Sequence, residues 1–155
     1  MIEIEIPSFG KLAISHLVLD FNGTLAQNGE LLCGVPEALF ILSHRLSIHI
    51  LTADTFGNVR QALEGIACQL VVLGTEAQAQ AKADYVEHLG ASSVSSIGNG
   101  RNDCLMLERS ALGIVVQGEG AARESLLAAK MICRDIVEAL GLLSAPLRLA
   151  ATLRG

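Results

Sequence analysis

Short apolar runs that alternate with helical stretches limit this chain to few architectures. Leu17-Val18-Leu19, Ile48-His49-Ile50, Gln69 to Leu73, Val94 to Ile97 and Ile114 to Val116 all have strand length and β-branched character. Helical stretches fall between them: Pro36 to Leu46, Phe56 to Glu64, Glu76 to Leu89 ended by Gly90, and segments around Leu105 and Leu126. Consecutive apolar positions suit strands buried on both faces, so the alternation predicts an α/β fold with a doubly wound parallel sheet between two layers of helices. Two further strands, Ile2 to Ile6 and one near Leu12 to Ile14, precede it across the turn Pro7 to Gly10. Asn28-Gly29 predicts a small hairpin between Leu25-Ala26-Gln27 and Glu30-Leu31-Leu32. At 155 residues, 51% apolar and 3% aromatic, the chain is expected to form one domain over residues 1–155, with a core of Leu, Ile, Val and Ala.

The strand ends carry the chemistry. Asp20-Phe21-Asn22-Gly23-Thr24-Leu25 follows Leu17-Val18-Leu19 and sets an aspartate at the carboxyl end of a buried strand, where open parallel sheets bind ligands. With that aspartate as a nucleophile, the chain is expected to be a phosphoaspartyl enzyme or its relic, although a plain strand-to-loop junction can also carry Asp and Gly. Thr52-Ala53-Asp54 ends the next strand, with Thr52 placed to hold a phosphoryl oxygen. Lys82, on the helix from Glu76 to Leu89, would supply a fixed counter-charge. Gly98-Asn99-Gly100-Arg101-Asn102-Asp103 is a Gly-rich strand-to-helix turn that can approach a metal or phosphate closely. A carboxylate attacking a phosphoryl group needs its charge screened, and Mg²⁺ on Asp20 does this.

In this order the motifs resemble the haloacid dehalogenase superfamily and, within it, the phosphorylation domain of P-type ATPases. Leu51-Thr52-Ala53-Asp54 looks like the L-T-G-D of those ATPases, and Lys82 with Val86 and Leu89 like their K-x-x-x-V-x-x-L helix. Gly98 to Asp103 resembles T-G-D-G-x-N-D without its first Asp, and Ala111 to Val116 their A-x-I-G-I-A-M-G strand. The resemblance covers about residues 16 to 140. It implies a three-layer Rossmann-like fold with the hairpin as a flap beside the nucleophile. The short spacing from Leu25 to Leu51 leaves no room for the ATPases' nucleotide-binding domain, and the span from Asp54 to Lys82 leaves none for a cap domain. The resemblance also implies a Mg²⁺-dependent phosphohydrolase or phosphotransferase with Asp20 as nucleophile. Asp20, the Asn22 carbonyl, Asn99 and Asp103 would hold the metal. Gly23, Thr24, Thr52, Ala53, Lys82 and Asn102 would surround the phosphate, with Asp20, Thr52, Lys82 and Asn22 as the catalytic set.

Two positions depart from that pattern. Superfamily phosphatases usually have Asp at the position of Asn22, and an amide can neither protonate a leaving group nor activate water. Phosphatases and ATPases alike have a metal-binding Asp where this chain has Asn99. Slow turnover of simple esters is expected. The alternative is a non-catalytic phosphate-binding or regulatory module derived from the ATPase domain, and a third reading, hydrolytic dehalogenation at Asp20, fits the other motifs poorly. Asn22-Gly23 and Asn99-Gly100 are also prone to deamidation to Asp.

The net charge of −5 disfavours nucleic acid or an anionic membrane as partner; the resemblance implies a phosphorylated small molecule or macromolecule. No run approaches the ~20 apolar residues of a membrane span. Cys33, Cys68, Cys104 and Cys133 are scattered without a C-x-x-C pair, no signal peptide precedes Ile2, and reduced thiols in the cytoplasm are expected. His49, in an apolar strand, is expected to be structural. Gly118-Glu119-Gly120 is expected to be a plain turn, and Arg101 to contact either substrate or solvent. Leu143, Leu147, Ala150 and Ala151 define one face of a C-terminal helix, to be buried at home or against another subunit in a homo-oligomer.

Overall fold

The structure, a computed structural model, describes residues 1–53 and 58–155. Asp54, Thr55 and the expected helix start at Phe56 lie outside the described residues. Strands β1 (Ile2–Ile6) and β2 (Gly10–Ile14) pair antiparallel, with Ile2 opposite Ile14. Strand periodicity turns Ile2, Ile6, Leu12 and Ile14 inward, and leaves Glu3 and Lys11 to pair on the outer face.

The main sheet contains β3 (His16–Asp20), β6 (Ser47–Thr52), β7 (Gln69–Val72), β8 (Val94–Gly98), β9 (Leu112–Val116) and β10 (Met131–Cys133). Its order is β10-β9-β8-β3-β6-β7 with every pair parallel. From β3 the chain winds outward through β6 and β7, then returns to the other side of β3 with β8. The order therefore reverses beside β3, the crevice where such sheets hold their ligands. Helices α1 (Val35–Ser43) and α6 (Ile136–Ser144) cover one face, with Leu17 and Leu19 of β3 packed in their cluster. Helices α3 (Gln78–Leu89), α4 (Cys104–Arg109) and α5 (Arg123–Ala128) cover the face to which Val18 points. Between β3 and α1 stand only the hairpin strands β4 (Ala26–Gln27) and β5 (Glu30–Leu31), turned by Asn28 and Gly29 at φ 52° and 82°. Both central residues have the positive φ of a two-residue hairpin. The short helix α2 (Val59–Ala62) precedes β7, and the described residues contain no cap domain.

Three expectations need correction. The sheet has a sixth strand, β10, that the sequence reading omitted. Helix α1 stops at Ser43, three residues before the expected Leu46, because Leu46 turns inward and is buried. The C-terminal face was also misassigned: a 108° bend separates α6 from α7 (Pro146–Leu153), so Leu143 belongs to a different helix and is buried, whereas Leu147 is 83% exposed. Helix α7 instead lies on β1 through Leu149, with Ala150 and Leu153 beside it. No single described helix is long and apolar enough to cross a membrane.

His49 is structural as expected, its ring nitrogens lying 3.1 Å from His16 Nδ1 and 2.9 Å from the Tyr85 hydroxyl. All four cysteines are unpaired.

Candidate active site

Alternation along β3 carries Asp20 to the same side as Val18, the side covered by α3. Lys82 shares the inward face of α3 with Val86 and is only 1% exposed. Its Nζ donates to Asp20 Oδ1 at 2.5 Å and to Asp103 Oδ1 at 2.6 Å, so one buried ammonium joins two carboxylates. Asp103 lies just before α4 and is fully buried. Its Oδ2 accepts the backbone N–H of Asn99 at 3.0 Å and of Gly100 at 2.8 Å. This carboxylate packs so closely on β8 that a Cβ at Gly98 would lie 2.5 Å from it, which is why glycine ends that strand.

Burial, with Asp103 adding to it, pushes the Asp20 carboxyl up to about 6, although Lys82 and Thr24 pull it down. Burial works against the Lys82 ammonium, but Asp20 and Asp103 outweigh it and hold its pKa above the ordinary lysine value. An acid whose pKa is higher folded than unfolded binds its proton more tightly in the native state. Its contribution to stability is complete below about pH 4 and is lost as the pH rises through about 6. Relative to Asp20→Asn, the metal-free wild type is therefore expected to lose stability from pH 4 to pH 7. Paired urea midpoints across that range test this, and a constant difference between the two proteins would contradict it.

Asp20 opens into a cavity of about 100 Å³ lined also by Asn22, Thr52, Ala53, Gln78, Lys82, Asn99, Gly100 and Asn102. Seven of the residues picked from sequence thus converge, and Asp103 stands directly behind Lys82. Gly23 and Thr24, expected at the phosphate, line an adjoining cavity of about 260 Å³ with Glu119 and Asp135. Their N–H groups turn inward, to the carbonyls of Ala26 and Phe21. The Thr24 hydroxyl, 3.1 Å from Asp20 Oδ2, serves the nucleophile instead. Gln78 was missed: its Oε1 accepts from Asn102 Nδ2 at 2.9 Å, and nothing in a lone Gln at a helix start signals this. Arg101 is 81% exposed and pairs with Glu124.

Asn99 has a specific setting. Its Oδ1 lies 3.2 Å from the Thr24 hydroxyl, while its Nδ2 donates to the Gly120 carbonyl at 2.8 Å. The Gly118-Glu119-Gly120 segment, expected to be a plain turn, is thereby tied to the nucleophile loop. Asn22 Oδ1 is buried without a hydrogen-bond partner. Gly23 N–H and Gly100 N–H, the nitrogens that would attack during deamidation, are both hydrogen-bonded. Both junctions are thus better protected than their sequences suggest.

No group of three or more His, Cys, Asp or Glu side chains converges among the described residues. Asp103, read from the sequence as a metal ligand, does not line the cavity, and its oxygens face Lys82 and the Asn99 and Gly100 N–H groups. Asp20, the orphaned Asn22 Oδ1 and Asn99 Oδ1 leave an all-oxygen, weakly charged donor set. That chemistry fits a hard divalent cation that keeps most of its waters.

The chain is 51% identical over 39 residues to the uncharacterized protein MJ0072 of Methanocaldococcus jannaschii, a match spanning 25% of this chain and 89% of that protein. It is 45% identical over 62 residues to the uncharacterized protein MJ0073 of the same organism, spanning 39% of this chain and 67% of that protein. The chain belongs to one family with these two proteins. No family model matches it. Among solved structures, 3-deoxy-D-manno-octulosonate 8-phosphate phosphatase from Moraxella catarrhalis, in complex with magnesium, phosphate and KDO, superposes with a TM-score of 0.71 at 15% identity. That match covers 91% of this chain and 94% of the phosphatase. The cobalt-bound form of the Haemophilus influenzae phosphatase gives 0.70 at 15% identity, covering 90% of each chain. The catalytic domain of the CPx-ATPase CopB-B gives 0.58 at 22% identity, covering 70% of this chain and 45% of that one.

Proposed function

We propose that this chain, which has the haloacid dehalogenase-like fold in a form without a cap domain among its described residues, is a divalent-metal-dependent phosphohydrolase or phosphotransferase acting through a phosphoaspartate on Asp20. One observation carries the reading: a carboxylate at the end of the central strand, held at 2.5 Å by a buried lysine, opens into a cavity lined by a threonine and three asparagines. The bound magnesium, phosphate and cobalt of the similar phosphatases support the choice of a phosphoryl substrate and a divalent cation.

In this mechanism an Asp20 oxygen attacks phosphorus while the bond to the leaving oxygen breaks and that oxygen departs with the electron pair. Lys82 holds the carboxylate in position and offsets the negative charge gathering on the phosphoryl group. Asp103 touches no substrate and acts by fixing the ammonium. Thr52, at the end of β6, receives a phosphoryl oxygen. Asp20, Asn22 and Asn99 would hold the metal, which when bound screens charge between nucleophile and phosphate. Asn22 has no proton to give at working pH, so leaving groups that need none, such as those of acyl phosphates, are favoured. The loss relative to an acid at that position is about 10²–10⁴-fold on simple esters.

The decisive test is intact-protein mass after acetyl phosphate, or ¹⁹F NMR after beryllofluoride, with and without Mg²⁺, on wild type and Asp20→Asn. A Mg²⁺-dependent adduct on wild type alone is expected. Binding of phosphate without any adduct would favour the second reading, a regulatory phosphate-binding module, which Asn22 and Asn99 in place of two carboxylates keep in view.

A further inference from the structure

We propose that this site takes up its divalent cation and its phosphoryl group as a pair, each binding weakly alone, because Asn99 is an amide clamp and not a charged metal ligand. The inference rests on the phosphoaspartyl reading and adds to it an obligatory coupling between two ligands.

Asn99 Nδ2 lies 2.8 Å from the carbonyl oxygen of Gly120, and only a donor can stand there. The reversed amide would set two acceptors against each other, so hydrogen bonding fixes the orientation. A carboxylate at this position would do the same. The amide therefore has a positive task, joining the loop after β9 to the loop after β3, and it performs that task at the expense of a negative charge at the metal position.

Among the described residues, the buried charges are few: Asp20, Asp103 and Lys82. Asp103 spends Oδ1 on Lys82 and Oδ2 on two backbone N–H groups. Asp20 gives Oδ1 to Lys82, and its Oδ2 faces the Thr24 hydroxyl. The buried trio of Asp20, Asp103 and Lys82 thus carries one net negative charge when ionised. A divalent cation entering alone would reverse the sign of a buried site, and a phosphate dianion entering alone would triple its negative charge. The two together leave it unchanged. Desolvation makes each uncompensated charge costly, so each ligand is best received when the other is present. An oxygen of the phosphoryl group also supplies the anionic ligand that Asn99 does not.

Thermodynamic reciprocity makes this measurable, because each ligand must raise the affinity of the other by the same factor. Mn²⁺ binding followed by electron paramagnetic resonance is expected to tighten about tenfold or more on adding inorganic phosphate, and calorimetry should show phosphate gaining the same factor from Mg²⁺. An Mn²⁺ affinity unchanged by phosphate would overturn the pairing. In Asn99→Asp, checked for folding by its melting curve, Mn²⁺ is expected to bind without phosphate and the coupling to shrink. Full coupling retained in that variant would overturn the role given to Asn99. The wild-type titrations stand alone if the variant does not fold. A beryllofluoride adduct on Asp20 together with tight Mn²⁺ binding in the absence of phosphate would refute the pairing and leave the phosphoaspartyl reading intact. Failure of both ligands to bind in any combination, with no adduct, would refute both.

Discussion

Lys82→Met is expected to destabilise the protein by about 3–5 kcal/mol at pH 7, the range seen when one member of a buried ion pair is removed. The methionine fills similar space, so the loss comes from charge and not from a cavity. It leaves Asp20 and Asp103, buried and previously joined by one ammonium, without compensation. Protonating either carboxylate relieves the repulsion. The deficit is therefore expected to shrink on going from pH 7 to pH 5, and the Asp20 carboxyl to rise further above the value of about 6 that it has beside Lys82. Adding Asp103→Asn to Lys82→Met should recover part of the loss, which urea unfolding of the four proteins of the cycle would measure. Equal destabilisation at both pH values would mean that the lysine acts through its packed stem and not its charge.

Gly113→Ala is expected to cost about 3 kcal/mol, at the upper end for an overpacked core. Gly113 is in β9, and a Cβ there would lie 2.1 Å from the carbonyl oxygen of Leu107 in α4. That atom is backbone, so no rotamer change removes the clash and α4 must lift from the sheet. Asp103 stands at the N-terminal edge of this helix, so the displacement is also expected to loosen its hold on Lys82 and lower adduct formation at Asp20. Gly141→Ala is the matched control: Gly141 is inside α6 with nothing within 4 Å of its missing Cβ, and alanine there is expected to stabilise by roughly 1 kcal/mol through helix propensity. Similar melting shifts in the two variants would refute the role of close approach.

Backbone architecture was largely readable from the residues, because consecutive apolar positions, Pro36 and Gly90 act locally. The exceptions have local causes too. Met131-Ile132-Cys133 is three residues long, at the edge of the sheet with Ile132 half exposed, and its apolar pattern is too brief to distinguish from a turn. Helix α3 begins two residues after Glu76 because Ala77 adopts φ 50°, a conformation no sequence rule assigns to alanine. At the site, residue types were legible and partner choice was not. Asp103, Asn99 and Thr24 all carry oxygens that suit a ligand. Their hydrogen bonds to Lys82, Gly120 and Asp20 depend on packing across 20 or more residues for the first two and on a tight loop for the third. Asn99 shows the difference most clearly: its sequence position implied a weakened ligand, and its surroundings give the amide a donor's task at the Gly120 carbonyl that a carboxylate could not perform.

The position of β3 between β6 and β8 also bears on how the protein opens. Strands at the rim of a sheet exchange their amide hydrogens through local fraying, whereas a strand paired on both sides exposes its amides only when larger units come apart. Here the rims are β7 and β10, while Asp20, Thr52 and Asn99 extend from three of the four inner strands. These three side chains are therefore expected to be attached to slowly exchanging strands of the sheet. Partial opening at either rim would leave their mutual spacing undisturbed.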